Sequence, residues 1–95
     1  MTLRSHLDGV RQVFLSSSSC LLTSVSEDCL IKIWDLKHLM KNYDSNYTEP
    51  TATLREHCGP VFTVTGNQQG NKSKTDIDLI FTAGADGEIK VWNIP

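Results

Sequence analysis

Two sets of hydroxyl, imidazole and carboxylate side chains occur in the same order in this sequence. The first set contains Ser24, His6 and Asp28. A serine hydroxyl, a histidine base and an aspartate that orients the base form the nucleophilic site of many hydrolases. In each set the hydroxyl residue lies four positions before the aspartate, and a tryptophan, Trp34 in the first set, follows six positions after it. The second set repeats this spacing with His57, Thr82, Asp86 and Trp92.

A structural role explains the two sets better than catalysis does. A nucleophilic serine needs exposure and an oxyanion hole, whereas these hydroxyls fall in the middle of strand-like runs. Catalysis also needs only one such set, and the sequence holds two. We therefore expect no enzymatic activity and no cofactor.

Both sets belong to a longer internal repeat, which is the strongest pattern in the sequence. Residues 2–13 (TLRSHLDGVRQV) align with residues 53–64 (TLREHCGPVFTV) at an offset of 51, and residues 26–34 align with residues 84–92 at an offset of 58. The second copy therefore contains an insertion within TGNQQGNKSKTDID, whose Gly, Asn and Lys content predicts an exposed loop. Repetition of this kind is typical of repeat architectures.

Each copy of the repeat consists of short β-rich runs. A further strand is expected ahead of each histidine, and the Asp-Gly pair at 86–87 predicts a hairpin turn that residues 27–29 match in the first copy. A loop is predicted after the third run, because Asn, Asp, Ser and Pro would end any helical turn in HLMKNY. The absence of βαβ alternation indicates an all-β fold. The predicted strands are residues 10–15, 21–26, 30–36, 61–65, 79–84 and 88–94.

Length and composition narrow the function classes. Ninety-five residues make at most one domain or a piece of one, and a net charge of −2 leaves no broad basic surface for nucleic acid. The three cysteines lack the C-x-x-C spacing of zinc sites, and their odd number argues against a disulfide framework. No run approaches membrane-spanning length and no leader peptide is recognisable, so a cytoplasmic location is the default expectation.

The repeated residues resemble those of the WD-repeat family of β-propellers. Each repeat of that family is a four-stranded antiparallel blade, with a histidine before the first inner strand and a Trp-Asp pair that closes the third. The resemblance implies that the hydroxyl binds the indole N–H, that the imidazole links the hydroxyl to the carboxylate, and that this network ties the inner strands to the outermost one. Asn93 replaces the aspartate after the second tryptophan. The implied network residues are His6, Ser24, Asp28, Trp34, His57, Thr82, Asp86 and Trp92.

The resemblance also implies a domain organisation of about two blades from an incomplete propeller, over residues 2–95. Two arrangements stay open: a slice of a longer scaffold, or a mini-propeller in which several copies close a ring by strand exchange. In the second arrangement the first strand of one copy would complete the blade that ends at Pro95 of the next. The expected parts are residues 2–6 as the outer strand of a preceding blade, 9–57 as a complete blade, 60–95 as an incomplete blade, 37–52 as a linker between strands and 66–78 as an inserted loop.

A closer resemblance is to the C-terminal WD-repeat region of the striatin family, and it covers nearly the whole chain. The stretches TLRSHLDGVR, SED, REHCGPV and VWNIP and the linker that ends in EP are similar to that family, whereas the insertion departs from it. Striatins are non-enzymatic scaffolds that act as regulatory subunits of the type-2A protein phosphatase and bring kinases to it. The resemblance therefore implies a signalling scaffold with other proteins as partners, including that phosphatase and kinases.

A partner-binding face is predicted where the turns beside each histidine meet the turns that hold each aspartate. Loops at one end of a rigid scaffold commonly carry binding, and ordinary solvent-exposed turns are the alternative. A metal site from His6, Cys29, His57 and Cys58 is not expected, because nothing in a propeller brings these residues together. The residues predicted for the partner-binding face are Leu7, Asp8, Arg11, Glu27, Phe62, Ala85 and Glu88.

Overall fold

The first copy of the repeat folds as a four-stranded antiparallel sheet. The structure is a computed structural model that describes residues 2–16, 20–41, 49–67 and 78–94. The strands are hydrogen-bonded to one another in chain order. They are β1 (Val10–Ser16), β2 (Leu21–Ser26), β3 (Ile31–Asp35) and β4 (Ala52–Leu54).

The second copy folds as a three-stranded antiparallel sheet of β5 (Val61–Gly66), β6 (Asp78–Gly84) and β7 (Ile89–Ile94). Within the described ranges no strand pairs with the outer edge of β7. The all-β prediction is confirmed, and each predicted inner strand lies within about one residue of an observed one. Most of the predicted inserted loop at 66–78 lies outside the described residues; of its ends, Gly66 belongs to β5, Asn67 follows that strand and Asp78 begins β6.

Equivalent tight turns join the second and third strands of each sheet. Cys29 has a φ of 72° and Gly87 has a φ of 77°, so both equivalent positions adopt the left-handed conformation that closes a hairpin after a type I turn. The backbone N–H of Cys29 donates to the carbonyl of Ser26 at 3.3 Å, and that of Gly87 donates to the carbonyl of Gly84 at 3.2 Å. The predicted hairpin turn therefore occurs in both copies, with a cysteine in the first where the second has the more tolerant glycine.

The hydrophobic core lies between the two sheets. Phe14 on β1 packs closely over Gly66 on β5, where an added Cβ would lie 2.6 Å from the phenylalanine ring. Apolar side chains from facing sheets supply most of the favourable free energy of such packing. The buried members of the core are Val25, Ile31, Ile33, Val61, Val64 and Ile80.

One expectation about the first sheet is wrong, and another stays a prediction. Residues 2–6 form no strand within the described residues, and their place as the outer strand of a preceding blade stays a prediction. Residues Leu36–Lys41 form a short helix, α1, where a loop was predicted. Asp35 Oδ1 accepts a hydrogen bond from the backbone N–H of His38 at 3.2 Å, which caps the helix, and Leu39 is buried.

Candidate functional site

The first network joins the segment before β1 to the second and third strands. His6 lies just before β1, Ser24 is on β2, Trp34 is on β3, and Asp28 is in the turn between β2 and β3. His6 Nδ1 lies 2.9 Å from Asp28 Oδ2, and His6 Nε2 lies 2.7 Å from Ser24 Oγ. The indole N–H of Trp34 donates to the same hydroxyl oxygen at 3.0 Å. These contacts connect four chain segments through one line of hydrogen bonds.

The chemistry of the donors and acceptors fixes the direction of this line. A carboxylate only accepts, so Nδ1 of the imidazole donates to it, and an indole N–H only donates, so the hydroxyl oxygen accepts from it. The hydroxyl proton is then left to donate to Nε2 of the imidazole. Each polar atom in the line therefore has a partner, which removes the cost of burying it.

The second network repeats this geometry in the second sheet. His57 Nδ1 lies 2.9 Å from Asp86 Oδ2, and His57 Nε2 lies 2.9 Å from Thr82 Oγ1. The indole N–H of Trp92 donates to Thr82 Oγ1 at 3.0 Å. His57 follows β4 of the first sheet, whereas Thr82, Asp86 and Trp92 belong to the second, so this network ties the two sheets together.

Each aspartate also holds the turn that follows its histidine. Asp28 Oδ2 accepts the backbone N–H of Leu7 at 2.9 Å, and Asp86 Oδ2 accepts that of Cys58 at 3.1 Å. The other oxygen of Asp28 accepts the N–H of Leu30 at 2.9 Å, which fixes the hairpin turn itself. The carboxylates are therefore the points at which two separate loops are held in register.

These hydrogen bonds change the acidity of both carboxyl groups. Burial alone would raise the pKa of Asp28, but hydrogen bonds from Leu7 N–H, His6 and Leu30 N–H outweigh it, so that the pKa is lowered. The hydrogen bond from the backbone N–H of Glu88 is the largest effect on Asp86, and its pKa falls to about 2 despite some burial. Both groups are therefore carboxylates at neutral pH, as the direction of the hydrogen bonds requires.

The hydroxyl groups are placed for packing and not for attack on a substrate. Ser24 is 4% exposed and Thr82 is 1% exposed, and each oxygen already accepts from an indole N–H. A nucleophile must be accessible to its substrate, and hydroxyls buried to this extent are not. Among the described residues no group of three or more His, Cys, Asp or Glu side chains could hold a metal ion, and His6, Cys29, His57 and Cys58 form no such cluster.

Three of the residues predicted for the partner-binding face lie together at the turn end of the sheets. Arg11 Nη1 donates to Glu27 Oε1 at 2.9 Å, and the Arg11 guanidinium carbon lies 5.1 Å from the centre of the Phe62 ring. The Arg11 and Glu27 side chains are 47% and 38% exposed. An exposed ion pair of this kind contributes only about 0–1 kcal/mol to stability, so the cluster remains available for other contacts.

The other predicted face residues are also exposed but make fewer contacts with one another. Leu7 is 90% exposed, and Asp8 Oδ1 accepts the N–H of Gly9 at 2.8 Å. Ala85 is exposed in the second hairpin turn. Glu88 accepts a hydrogen bond from Lys90 Nζ at 2.6 Å, and this bond raises the pKa of Lys90. Within the described residues, no hydrogen bond or ion pair joins Glu88 to the cluster around Arg11.

Gln12 is a functional contact between the sheets that the sequence did not point to. Its Oε1 accepts the hydroxyl of Thr63 at 2.6 Å and the backbone N–H of Val64 at 2.7 Å. The repeat gave no signal for it, because the equivalent position in the second copy is Thr63 and only the longer side chain can reach across to the neighbouring sheet.

The comparisons with known proteins identify the family. The sequence model described as "WD domain, G-beta repeat" matches residues 1–35 and 48–93. The chain belongs to the WD-repeat family. The two sheets are consequently WD-repeat blades, the first with four strands and the second with three in the described part. No helix in the described ranges is long and apolar enough to cross a membrane.

Striatins are among the relatives of this WD-repeat chain. It is 41% identical to the Striatin homolog of Dictyostelium discoideum, over 99% of the chain and 12% of that protein. It is 35% identical to Striatin-3 of Homo sapiens, over 99% of the chain and 11% of that protein. Striatin of Homo sapiens is 35% identical over 97% of the chain and 11% of its own length. The resemblance to the striatin WD-repeat region is confirmed, and the chain spans about one eighth of these relatives or slightly less.

Proposed function

We propose that this chain is a non-catalytic protein-interaction scaffold that binds partners through the turn end of its blades. The observation that carries the proposal is the cluster of Arg11, Glu27 and Phe62, which draws side chains from both blades to one exposed position. Aromatic and arginine side chains are enriched among residues that dominate binding energies. The aspartate-anchored turns beside the cluster hold it on a rigid base, which lowers the entropic cost of binding.

The cluster suits a partner that offers both charge and an apolar contact. Arg11 presents a guanidinium that can pair with a carboxylate, and Phe62 is 44% exposed and offers its ring. Leu7, which is 90% exposed, adds an apolar side chain in the turn after His6. By the resemblance to striatins, we propose that the partners are the type-2A protein phosphatase and the kinases of its signalling assemblies.

Binding of the purified scaffold and catalytic subunits of a type-2A protein phosphatase to the immobilised chain tests this proposal. Biolayer interferometry should show saturable binding that weakens at least tenfold in the Phe62→Ala and Arg11→Ala variants. Met40→Ala is the matched control, because Met40 is 62% exposed on α1 and is not part of the predicted face. Failure of the unmodified chain to bind, or equal binding by all variants, would contradict the proposal.

The non-catalytic part of the proposal has a separate test. The buried hydroxyl of Ser24 should not react with a fluorophosphonate, a reagent that labels activated serine nucleophiles. Intact-mass spectrometry after prolonged exposure should show the unmodified chain. One added phosphonyl group that disappears in a Ser24→Ala variant would instead show a reactive nucleophile.

A cytoplasmic location is part of the same proposal. Cys20, Cys29 and Cys58 all lie in the described part of the chain and are free thiols. Free thiols suit a reducing compartment, because disulfides form mainly where proteins are secreted. Imaging of the tagged protein in fixed cells should place it outside the secretory pathway, and retention in the endoplasmic reticulum would contradict this location.

A further inference from the structure

Arg11 and Phe62 occupy one equivalent position, and that position is open in both blades. Each is the extra residue of a β-bulge, within residues 10–12 of β1 and residues 61–63 of β5. A bulge redirects the side chain of its extra residue. The Arg11 side chain is 47% exposed with the second blade beside it, and Phe62 is 44% exposed with the first blade beside it. A neighbouring blade on either side therefore leaves this position uncovered.

The flanking residues of β5 show what a covered surface looks like in this fold. Val61 and Val64 are buried, because they pack against the first blade as part of the core. Phe62 lies between them in the sequence and stays about half-exposed. Its ring therefore projects out of the interface that the two valines fill, to where the Arg11 guanidinium meets it.

The Arg11 side chain is held in place from two sides. Glu27 Oε1 accepts a hydrogen bond from Nη1 at 2.9 Å, and the guanidinium carbon lies 5.1 Å from the centre of the Phe62 ring. At the next residue, Gln12 Oε1 accepts the backbone N–H of Val64 at 2.7 Å and ties β1 to β5. A cation held between a carboxylate and an aromatic ring loses little further freedom when a ligand binds it.

Most of the hydrogen-bonding capacity of this guanidinium is unused. A guanidinium has five N–H donors, and its edges bind carboxylates through two parallel hydrogen bonds. Within the described residues Arg11 makes one hydrogen bond, from Nη1 to Glu27. The edge formed by Nε and Nη2 is therefore left for a ligand, next to an exposed face of apolar carbon from Phe62.

We propose that this edge of Arg11 binds a single acidic side chain of the partner protein, with an apolar neighbour of that side chain against the Phe62 ring. The inference rests on the proposed function, because it names the chemistry that the same cluster recognises. A carboxylate matches the fork of Nε and Nη2 in charge and in geometry. The ring beside the fork favours an acidic residue in an apolar context over one in a polar context.

Carboxylates already present at the turn end limit the ligand to one acidic group. Asp8 and Glu88 are exposed there, and Glu27 cancels the charge of Arg11. Like charges brought together across an interface weaken binding, so a run of acidic residues would be repelled. Glu27 thus both orients Arg11 and opposes the ligand. Removal of its charge with retention of its oxygen should therefore strengthen binding.

An NMR titration with matched peptides tests this recognition. The probe is an acetylated and amidated pentapeptide that has a central glutamate between two leucines and a serine at each end. Its counterparts carry glutamine or lysine at the centre. Millimolar glutamate peptide should shift the Nε–H resonance of Arg11 and the ring signals of Phe62 saturably. The glutamine peptide should bind about fivefold more weakly or worse, because a neutral amide cannot accept both hydrogen bonds of the fork.

Three variants separate the fork from general effects of charge. Arg11→Lys keeps the positive charge but loses the fork and the planar stack, so the glutamate peptide should bind about fivefold more weakly. Glu27→Gln keeps an oxygen for Nη1 and loses the negative charge, so binding should strengthen about threefold. Arg55→Lys is the matched control, because Arg55 is exposed beyond β4 at the other end of the sheet from β1 and should leave binding unchanged.

Several results would overturn the inference. They are equal binding of the glutamate and glutamine peptides, a preference for the lysine peptide, unchanged binding by Arg11→Lys, and the absence of any shift at millimolar peptide. The phosphatase experiment above has a separate readout. Phosphatase binding without a preference for glutamate would overturn this inference alone. The preference for glutamate without phosphatase binding would support this inference and contradict the choice of partner.

Discussion

Removal of one hydroxyl group from the second network should weaken the fold substantially. Thr82→Val keeps the shape of the side chain but takes away Oγ1, which accepts from the Trp92 indole and bonds to His57 Nε2. Thr82 is 1% exposed and His57 is 5% exposed, so water cannot readily replace the lost hydroxyl at the imidazole. Both partners would be left unsatisfied in the interface between the blades.

The expected loss follows from the number and burial of the groups left without partners. A buried donor or acceptor without a partner costs about 1–3 kcal/mol. The imidazole nitrogen is buried, whereas Trp92 is only partly buried and its N–H can regain some hydration. We therefore expect the free energy of unfolding to fall by about 2–4 kcal/mol. That is a large part of the roughly 5–15 kcal/mol that holds a domain folded.

Thr23→Val is the matched control, because it removes the same atom from an equally buried threonine whose hydroxyl makes no hydrogen bond. Thr23 is 0% exposed, and its Oγ1 has no hydrogen-bond partner in the described structure. Replacing it should leave the stability unchanged or raise it by about 1 kcal/mol. Urea unfolding followed by circular dichroism measures both variants, at one fixed protein concentration because association also stabilises. Equal effects of the two substitutions would refute the role assigned to the Thr82 hydroxyl.

Three further changes probe other contacts. The pKa of Asp86 is lowered from 3.8 to about 2, so its contribution to stability is complete above about pH 5 and is lost as the pH falls through 4 towards 2. The free energy of unfolding of Asp86→Asn should therefore fall less steeply with acid pH. An unchanged pH dependence would contradict the hydrogen bonds to this carboxylate. Gln12→Ala should lower the free energy of unfolding by about 1–3 kcal/mol in urea titrations, because the N–H of Val64 loses its acceptor, and a neutral result would show that water replaces the amide. Both Gly87 and Cys29 have positive φ, so Gly87→Ala should destabilise the chain by about 1 kcal/mol and Cys29→Gly should stabilise it. Thermal melts measure both, and melting temperatures that shift in the same direction would be inconsistent with the turn geometry.

The sequence predicted most of the blade architecture because local signals and repetition agreed. Short β-rich runs separated by turn residues, together with the Asp-Gly pair, were sufficient to place the inner strands and hairpins. The helix α1 was missed because Asn and Ser further along HLMKNYDS suggested an early break, whereas the cap from Asp35 and the burial of Leu39 come from the sheet beside it. Residues 2–6 were given a strand on the repeat alone, and their pairing with a preceding blade stays a prediction.

The contacts between blades were harder to predict than the contacts within them. The side chains of the two networks were named from the resemblance to WD repeats, because both copies carry the histidine, hydroxyl, aspartate and tryptophan positions of that pattern. Gln12 could not be found in that way, since it differs from its equivalent Thr63 and works only because β5 lies within reach. The stacking of Arg11 over Phe62 also depends on how the two sheets face one another.

Hydrogen exchange of the indole N–H groups, followed by NMR at neutral pH, is the most direct test of the networks. It tests the claim that each triad-like set is a structural network that ends at a tryptophan. Trp34 is 2% exposed, so burial alone could slow its exchange, but Trp92 is only partly buried and depends on its bond to Thr82. Both indoles should exchange slowly in the unmodified chain, and only Trp92 should become fast in Thr82→Val. Fast exchange of Trp92 in the unmodified chain would contradict the network.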